Sequence, residues 1–168
     1  FIILFIFEPF YSERAWTSKR FFRLFFHAKI AIINTLIIRF PTIFLIIPSL
    51  MLITENQYGI LNNLDIGFTL KAVFGLLLLD LAYYFWHRLN HTNSFLWRFH
   101  SVHHLDTQLD VTTSLRFHFG ELLLSSLFKT ILILFLGMPI SVFIFYEILL
   151  SACNQFHHSN IKLSYTVD

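Results

Sequence analysis

Apolar positions in this chain come in runs rather than stripes. Residues 1–7, 30–52, 67–86 and 122–153 are dominated by Phe, Leu and Ile, and polar residues gather between them. The run 30–52 holds 23 residues, enough at about 1.5 Å per residue to cross a hydrocarbon core of roughly 30 Å. Pro41 and Pro48 predict a kink in it, and Arg39 must face a partner or snorkel. Residues 67–86 predict a second span. The run 122–153 would be about 48 Å long as one straight helix, too long for an ordinary crossing. Gly137-Met138-Pro139 therefore reads as the tip of a helical hairpin, and Lys129 needs an interior partner or a place near the interface. The opening FIILFIF has neither a basic segment before it nor a small-residue cleavage site, so it reads as the tail of a helix and not as a signal peptide. The closing SYTVD has no obvious terminating element, and the chain reads as a fragment truncated at both ends. The expected fold is all-α: one multi-pass membrane helix bundle with a cytoplasmic, histidine-bearing helical cap.

Charge orients the bundle. Residues 1–29 read as a partial helix followed by an interfacial segment, in which Arg14, Lys19, Arg20, Arg23 and Lys29 lie among aromatics as in a helix at a membrane surface. His27, alone there, reads as solvated or at headgroup level. The connection 53–66 has no Lys or Arg, whereas Arg88, Arg98 and Arg116 follow the second span. The positive-inside tendency puts 8–29 and 87–121 on the cytoplasmic side of a bacterial inner membrane or endoplasmic reticulum, with 53–66 opposite. The hairpin then returns segment 154–168, with His157 and His158, to the side of 87–121.

Composition narrows the class. The chain is 56% hydrophobic and 13% charged, where a soluble domain carries about a quarter charged residues. A net charge of +2, scattered along the chain, argues against a nucleic-acid partner. The single cysteine, Cys153, excludes an internal disulfide and cannot alone supply an iron–sulfur or zinc-thiolate site; it reads as a small buried apolar residue.

The chemistry lies in the histidines. Five of nine fall in residues 87–104, HRLNHTNSFLWRFHSVHH. His87 and His91 share one helical face, and His100, His103 and His104 share another at spacing i, i+3, i+4. Asn93 or Ser94 between them suits a helix cap. Two short helices presenting imidazoles this way can surround one metal or two. The later segments add His118, His157 and His158 as further candidates. Asp80, two turns before His87, and Glu121, three residues after His118, are candidate carboxylates to hold the second ring nitrogens. A lone HxxxH pair is a weak signal, but HxxxH followed by HxxHH is much more specific. Arg88 rules out the HExxH zinc-protease motif, and the absence of Glu-x-x-His rules out the soluble carboxylate-bridged di-iron bundle. A b-type haem would need histidines within spans, not at their ends. Asn90-His91-Thr92 is formally a glycosylation sequon, expected to stay unmodified on the cytoplasmic side.

The stretches LDLAYYFWHRLNH, LWRFHSVHH, TSLRFH with Glu121, and FHHSNI resemble, in this order, the fatty acid hydroxylase/sterol desaturase superfamily. The likeness covers roughly residues 80–163, and the order HRxxH then LWRFHxxHH separates it from the acyl desaturases. The resemblance implies a non-haem di-iron site, with zinc as a substitute metal, and ligands His87, His91, His100, His103, His104 and His158. His118 stands in an RxHPxE-like motif with Phe119 in place of the proline, and His157 occupies the Gln position of FQHSN. The family also has a final HxxHH box, which this chain does not reach, so the fragment by itself is expected to be inactive.

The implied activity is O2-dependent hydroxylation or desaturation of a fatty acid, sterol or related lipid, and the family relation also allows ether-lipid cleavage. The partners would be a bilayer lipid and an electron donor that is cytochrome b5-like, ferredoxin-like or a reductase. Two other classes stay open on the residues alone. A zinc-dependent membrane hydrolase would gather three or four histidines, an open water position and a nearby carboxylate base. A non-enzymatic histidine-rich metal-binding membrane protein would carry polar residues on through its spans. The di-metal reading predicts an HxxHH box within a few tens of residues after Asp168. Sequencing the coding region beyond that codon checks it, and a full protein without the box would sink the reading.

Overall fold

The computed structural model describes residues 1–16 and 19–163. Residues 17–18 of the expected interfacial segment and the closing 164–168 lie outside them. Among the described residues seven α-helices follow one another: α1 (Ile2–Phe7), α2 (Arg20–Pro41), α3 (Ile47–Asn56), α4 (Phe68–Thr92), α5 (Ser94–His104), α6 (Phe119–Leu136) and α7 (Ile140–His157). No β-strand occurs among the described residues; the one extended pairing is an isolated bridge from Ser12 to Ile161. Three helical stretches are long and apolar enough to cross a membrane: Arg20–Asn63, Phe68–Thr92 and Phe119–Leu136. The protein is an all-α membrane helix bundle.

The first long helix differs from its sequence reading. It starts at Arg20, well before residue 30, so the segment expected to lie along a surface forms the opening turns of α2. At the prolines the helix widens without breaking. Pro41 ends α2, a π-helical turn covers Thr42–Ile46, and α3 continues with Pro48 in its first turn. The polar residues of α2 are tied to a later loop, and this is why it begins so early. His27, read as solvated, is 2% exposed and its Nδ1 lies 2.8 Å from Thr112 Oγ1.

The apolar core joins α3, α4, α6 and α7 through Leu50, Leu79, Ile133, Met138 and Tyr146. The hairpin forms where Gly137 and Pro139 place it. Gly137 closes α6 in the left-handed conformation at φ 71°, and Pro139 caps α7. Lys129 finds its interior partner in Glu147, with Nζ 2.8 Å from Oε2. Arg39 is exposed on its helix, the placement that snorkelling requires. Cys153, read as buried, is exposed. The buried face of α7, Val142, Phe143 and Tyr146, lies in its first half, and residues 151–154 of its second half are open.

A second, polar core lies at the histidine end. Glu8 is fully buried; its Oε1 accepts from the backbone N–H of Val111 (2.9 Å) and of Asn160 (2.6 Å), and its Oε2 pairs with Arg20 at 2.8 Å. Asn160 in turn holds the extended chain at Arg14 through both its amide groups, at 2.9 Å each.

At the opposite end the connection 57–67 packs against the hairpin tip. A Cβ on Gly59 (φ 99°) would stand 2.1 Å from the Gly137 backbone nitrogen, and Asn62 Nδ2 donates to the Gly137 carbonyl at 3.2 Å. Gly59→Ala is expected to force this contact apart and to destabilise the bundle by about 1–3 kcal/mol. A thermal melt in detergent showing an unchanged midpoint would contradict it.

Candidate metal centre

The α4 helix runs past the apolar stretch to Thr92, so His87 and His91 stand one turn apart at its end with their Nε2 atoms 3.2 Å apart. Asn93 then reverses the chain. Its Oδ1 accepts from the N–H groups of Phe95 (3.0 Å) and Leu96 (3.1 Å), capping α5. Helix α5 turns His100 and His104 back onto α4. His100 Nε2 lies 3.2 Å from His91 Nε2 and 3.1 Å from His104 Nε2. One ligand atom each from His87, His91 and His100 fall within 4.8 Å of one another. These four imidazoles form one group.

His103 meets a different partner, His158 at the end of α7, with 2.6 Å between their Nε2 atoms. The hairpin has therefore returned His158 to the side of α5. The pair adjoins the first group: the His103 ring centre is 5.3 Å from that of His104 and 5.8 Å from that of His100.

The outer nitrogens fix the tautomers. His100 Nδ1 lies 2.7 Å from Glu121 Oε1 in the first turn of α6, His103 Nδ1 3.0 Å from the Arg116 carbonyl, and His158 Nδ1 2.6 Å from the Asn154 carbonyl. Those oxygens accept, so each Nδ1 carries the proton and each Nε2 presents a lone pair inward. Burial pushes the His103 pKa down to about 3, with His158 adding to the shift against the Arg116 carbonyl. Burial, then His100 and His91, lower that of His104. His103 and His104 are thus kept neutral, the form that ligates.

The Nε2 lone pairs of His103 and His158 face each other and repel unless a cation lies between them. Two nitrogens about 2.0–2.1 Å from one ion are about 3 Å apart at a right angle and about 3.4 Å apart at a tetrahedral angle, and the first group's spacings of 3.1–3.2 Å match. Glu121 Oε2 is buried without a hydrogen-bond partner among the described residues, a negative charge that a bound cation would offset. The donor set, imidazole with one carboxylate behind it, suits iron or zinc.

Not every candidate joins. His118 caps α6, its Nδ1 accepting from the Gly120 N–H at 3.0 Å, and its ring rests on Phe99 and Phe119. His157 is exposed, with its ring beside Phe156. Asp80 is exposed on α4, and no bond from it to an imidazole occurs among the described residues. Two aromatic supports and two backbone carbonyls escape a reading by motif. Trp97 lies against His104 and His91, with ring centres 5.7 Å and 5.5 Å away. Phe117 lies flat on His103 at 4.7 Å and 4°. The carbonyls of Arg116 and Asn154 carry no side-chain signature at all, whereas Phe117 and Trp97 stand beside motif residues.

Glu121→Gln leaves the shape but weakens the acceptor at His100. Metal affinity of the first group is expected to fall about 10- to 100-fold, as measured by metal titration against a chelator; unchanged affinity would remove Glu121 from the site.

The family model for fatty acid hydroxylase matches residues 72–168. The Ornithine lipid hydroxylase OlsE of Rhizobium tropici is 32% identical over 93 residues, which is 55% of this chain and 28% of the relative, so the chain spans little more than a quarter of that protein's length. No solved structure matches. With six imidazoles gathered at one end of a helical membrane bundle and the histidine motifs in register with the matched region, the chain belongs to the fatty acid hydroxylase family.

Proposed function

We propose that the protein is an O2-dependent lipid hydroxylase or desaturase working at a histidine-ligated di-iron site on the cytoplasmic face of a membrane. One observation carries the reading: two adjacent groups of imidazoles, His87/His91/His100/His104 and His103/His158, direct their Nε2 atoms toward each other. Each group would hold one ion. When bound, the irons supply O2 activation and removal of hydrogen from an unactivated C–H bond. For hydroxylation the balance is C–H to C–OH, with two electrons and two protons entering and the second oxygen atom leaving as water.

The residues of this chain do the holding and shielding. Glu121 and the carbonyls of Arg116 and Asn154 keep three ring protons on the outer nitrogens, so that the inner ones stay available. Trp97 and Phe117 cover ring faces and limit water there. The site stands at the end of the α4 span, where a lipid can reach it from the bilayer and an electron donor (cytochrome b5-like, ferredoxin-like or a reductase) from the aqueous side. The relative's name points to a polar membrane lipid as the substrate class.

The full-length protein, iron-loaded and supplied with reductant, is expected to transfer one atom of isotopically labelled O2 into a membrane lipid, detected by mass spectrometry. Desaturation would give instead a lipid two hydrogens lighter. A zinc-loaded protein that cleaves a lipid without O2 would put the hydrolase reading in its place.

A further inference from the structure

The α2 helix is apolar along most of its length but carries a polar face made of Arg23, His27 and Asn34, at i, i+4 and i+11. All three engage the loop that follows α5. Arg23 grips Asp106 with two parallel bonds (2.9 and 2.8 Å), Asp110 through Nε at 2.6 Å, and the Gln108 carbonyl at 2.5 Å. His27 meets Thr112, whose hydroxyl is spent on Asp110, so the ring donates and Thr112 accepts. Asn34 Nδ2 donates to the Phe117 carbonyl at 2.7 Å. The loop ends at the two residues that hold His103: Arg116, whose carbonyl takes its Nδ1, and Phe117, which lies flat on its ring. The first imidazole group depends on other supports. His87 and His91 belong to α4, which Trp86 fastens to α6 through Ser125 (3.0 Å) and a stack on Phe128, and His100 is held by Glu121 of α6.

We infer that the polar face of α2 is a positioning device for the His103–His158 pair, acting through the 106–117 loop, while Trp86 of α4 and Glu121 of α6 hold the four-imidazole group. None of the three side chains bonds to an imidazole of the site; each acts on the loop that orients His103. The angle of the first membrane helix is thereby coupled to one half of the metal centre. This inference rests on the two-ion reading proposed above.

The test is a Co2+ titration of the metal-free, full-length protein in detergent, followed by ligand-field absorption and chelator competition, for the wild type, Arg23→Lys and Asn34→Leu. Lysine keeps the charge but not the two-pronged grip, and leucine suits an apolar helix, so the two variants test the device by independent routes. The wild type is expected to take up two ions. Each variant should keep the first within about threefold of the wild-type affinity and weaken the second about tenfold or more. Helicity by circular dichroism and the first ion's affinity serve together as the folding control. Parallel weakening of both ions, no change in either, or loss of helicity in both variants overturns the inference. A wild type that takes up fewer than two ions overturns the two-ion reading itself, and the inference with it.

Discussion

An arginine largely closed off from water must find its acceptors inside the protein, and the way Arg23 does so organises the histidine end of the bundle. Its guanidinium is met by two carboxylates and a backbone carbonyl from a single loop, residues 106–110. Burial pushes the Asp106 pKa up, but hydrogen bonding and charge from Arg23 outweigh it and hold the group below the ordinary carboxylate range. Arg23 and Asp106 therefore stay ionised and pinned. Removing one member of such a buried set leaves an uncompensated charge, at a cost of about 3–5 kcal/mol. Glu8 adds a second anchor by accepting backbone N–H groups from both the Val111 turn and the Asn160 loop. Between them, an early helix and a short N-terminal segment fasten two distant stretches that carry site residues.

The consequence is a candidate metal centre built from two scaffolds. One is local and helical: consecutive turns of α4 and α5, joined by the Asn93 cap, with Glu121 behind. The other is long-range: His103 and His158 are 55 positions apart, and each is oriented by a backbone carbonyl. Backbone carbonyls suit this place because they accept without adding charge, so the buried His103 stays neutral. The one carboxylate in direct contact with a ring of the candidate site among the described residues is spent on His100, the most enclosed imidazole of the first group.

The apolar half of the bundle obeys the complementary rule. Where lipid surrounds a helix, polar side chains must pair within the protein, and Lys129 with Glu147 across the α6–α7 hairpin meets that demand. Large Phe, Leu and Ile side chains remain exposed along α2, α4 and α7, as expected where acyl chains complete the packing. A lipid-modifying function fits this surface, because a substrate dissolved in the bilayer needs no aqueous route to the end of α4.

The local and periodic features were readable from residues alone. Run lengths predicted long apolar helices but not the start of the first at Arg20; Gly137 and Pro139 predicted the hairpin, Asn93 the cap, and the spacings of His87/His91 and His100/His103/His104 their shared faces, because each depends on neighbours within a turn or two of helix. Family motifs added His158 but also His118, which the fold uses as a helix cap. Tertiary structure alone decided that His27 is buried, that Arg23 belongs to an internal ion cluster instead of a membrane surface, and that His103 pairs with His158 apart from its neighbours on α5. Those outcomes rest on contacts between residues 55 to 90 positions apart and on main-chain carbonyls common to every residue type. Spacing along a chain determines which side chains share a helical face; which face meets which partner is settled only when buried charges and lone pairs are matched in three dimensions.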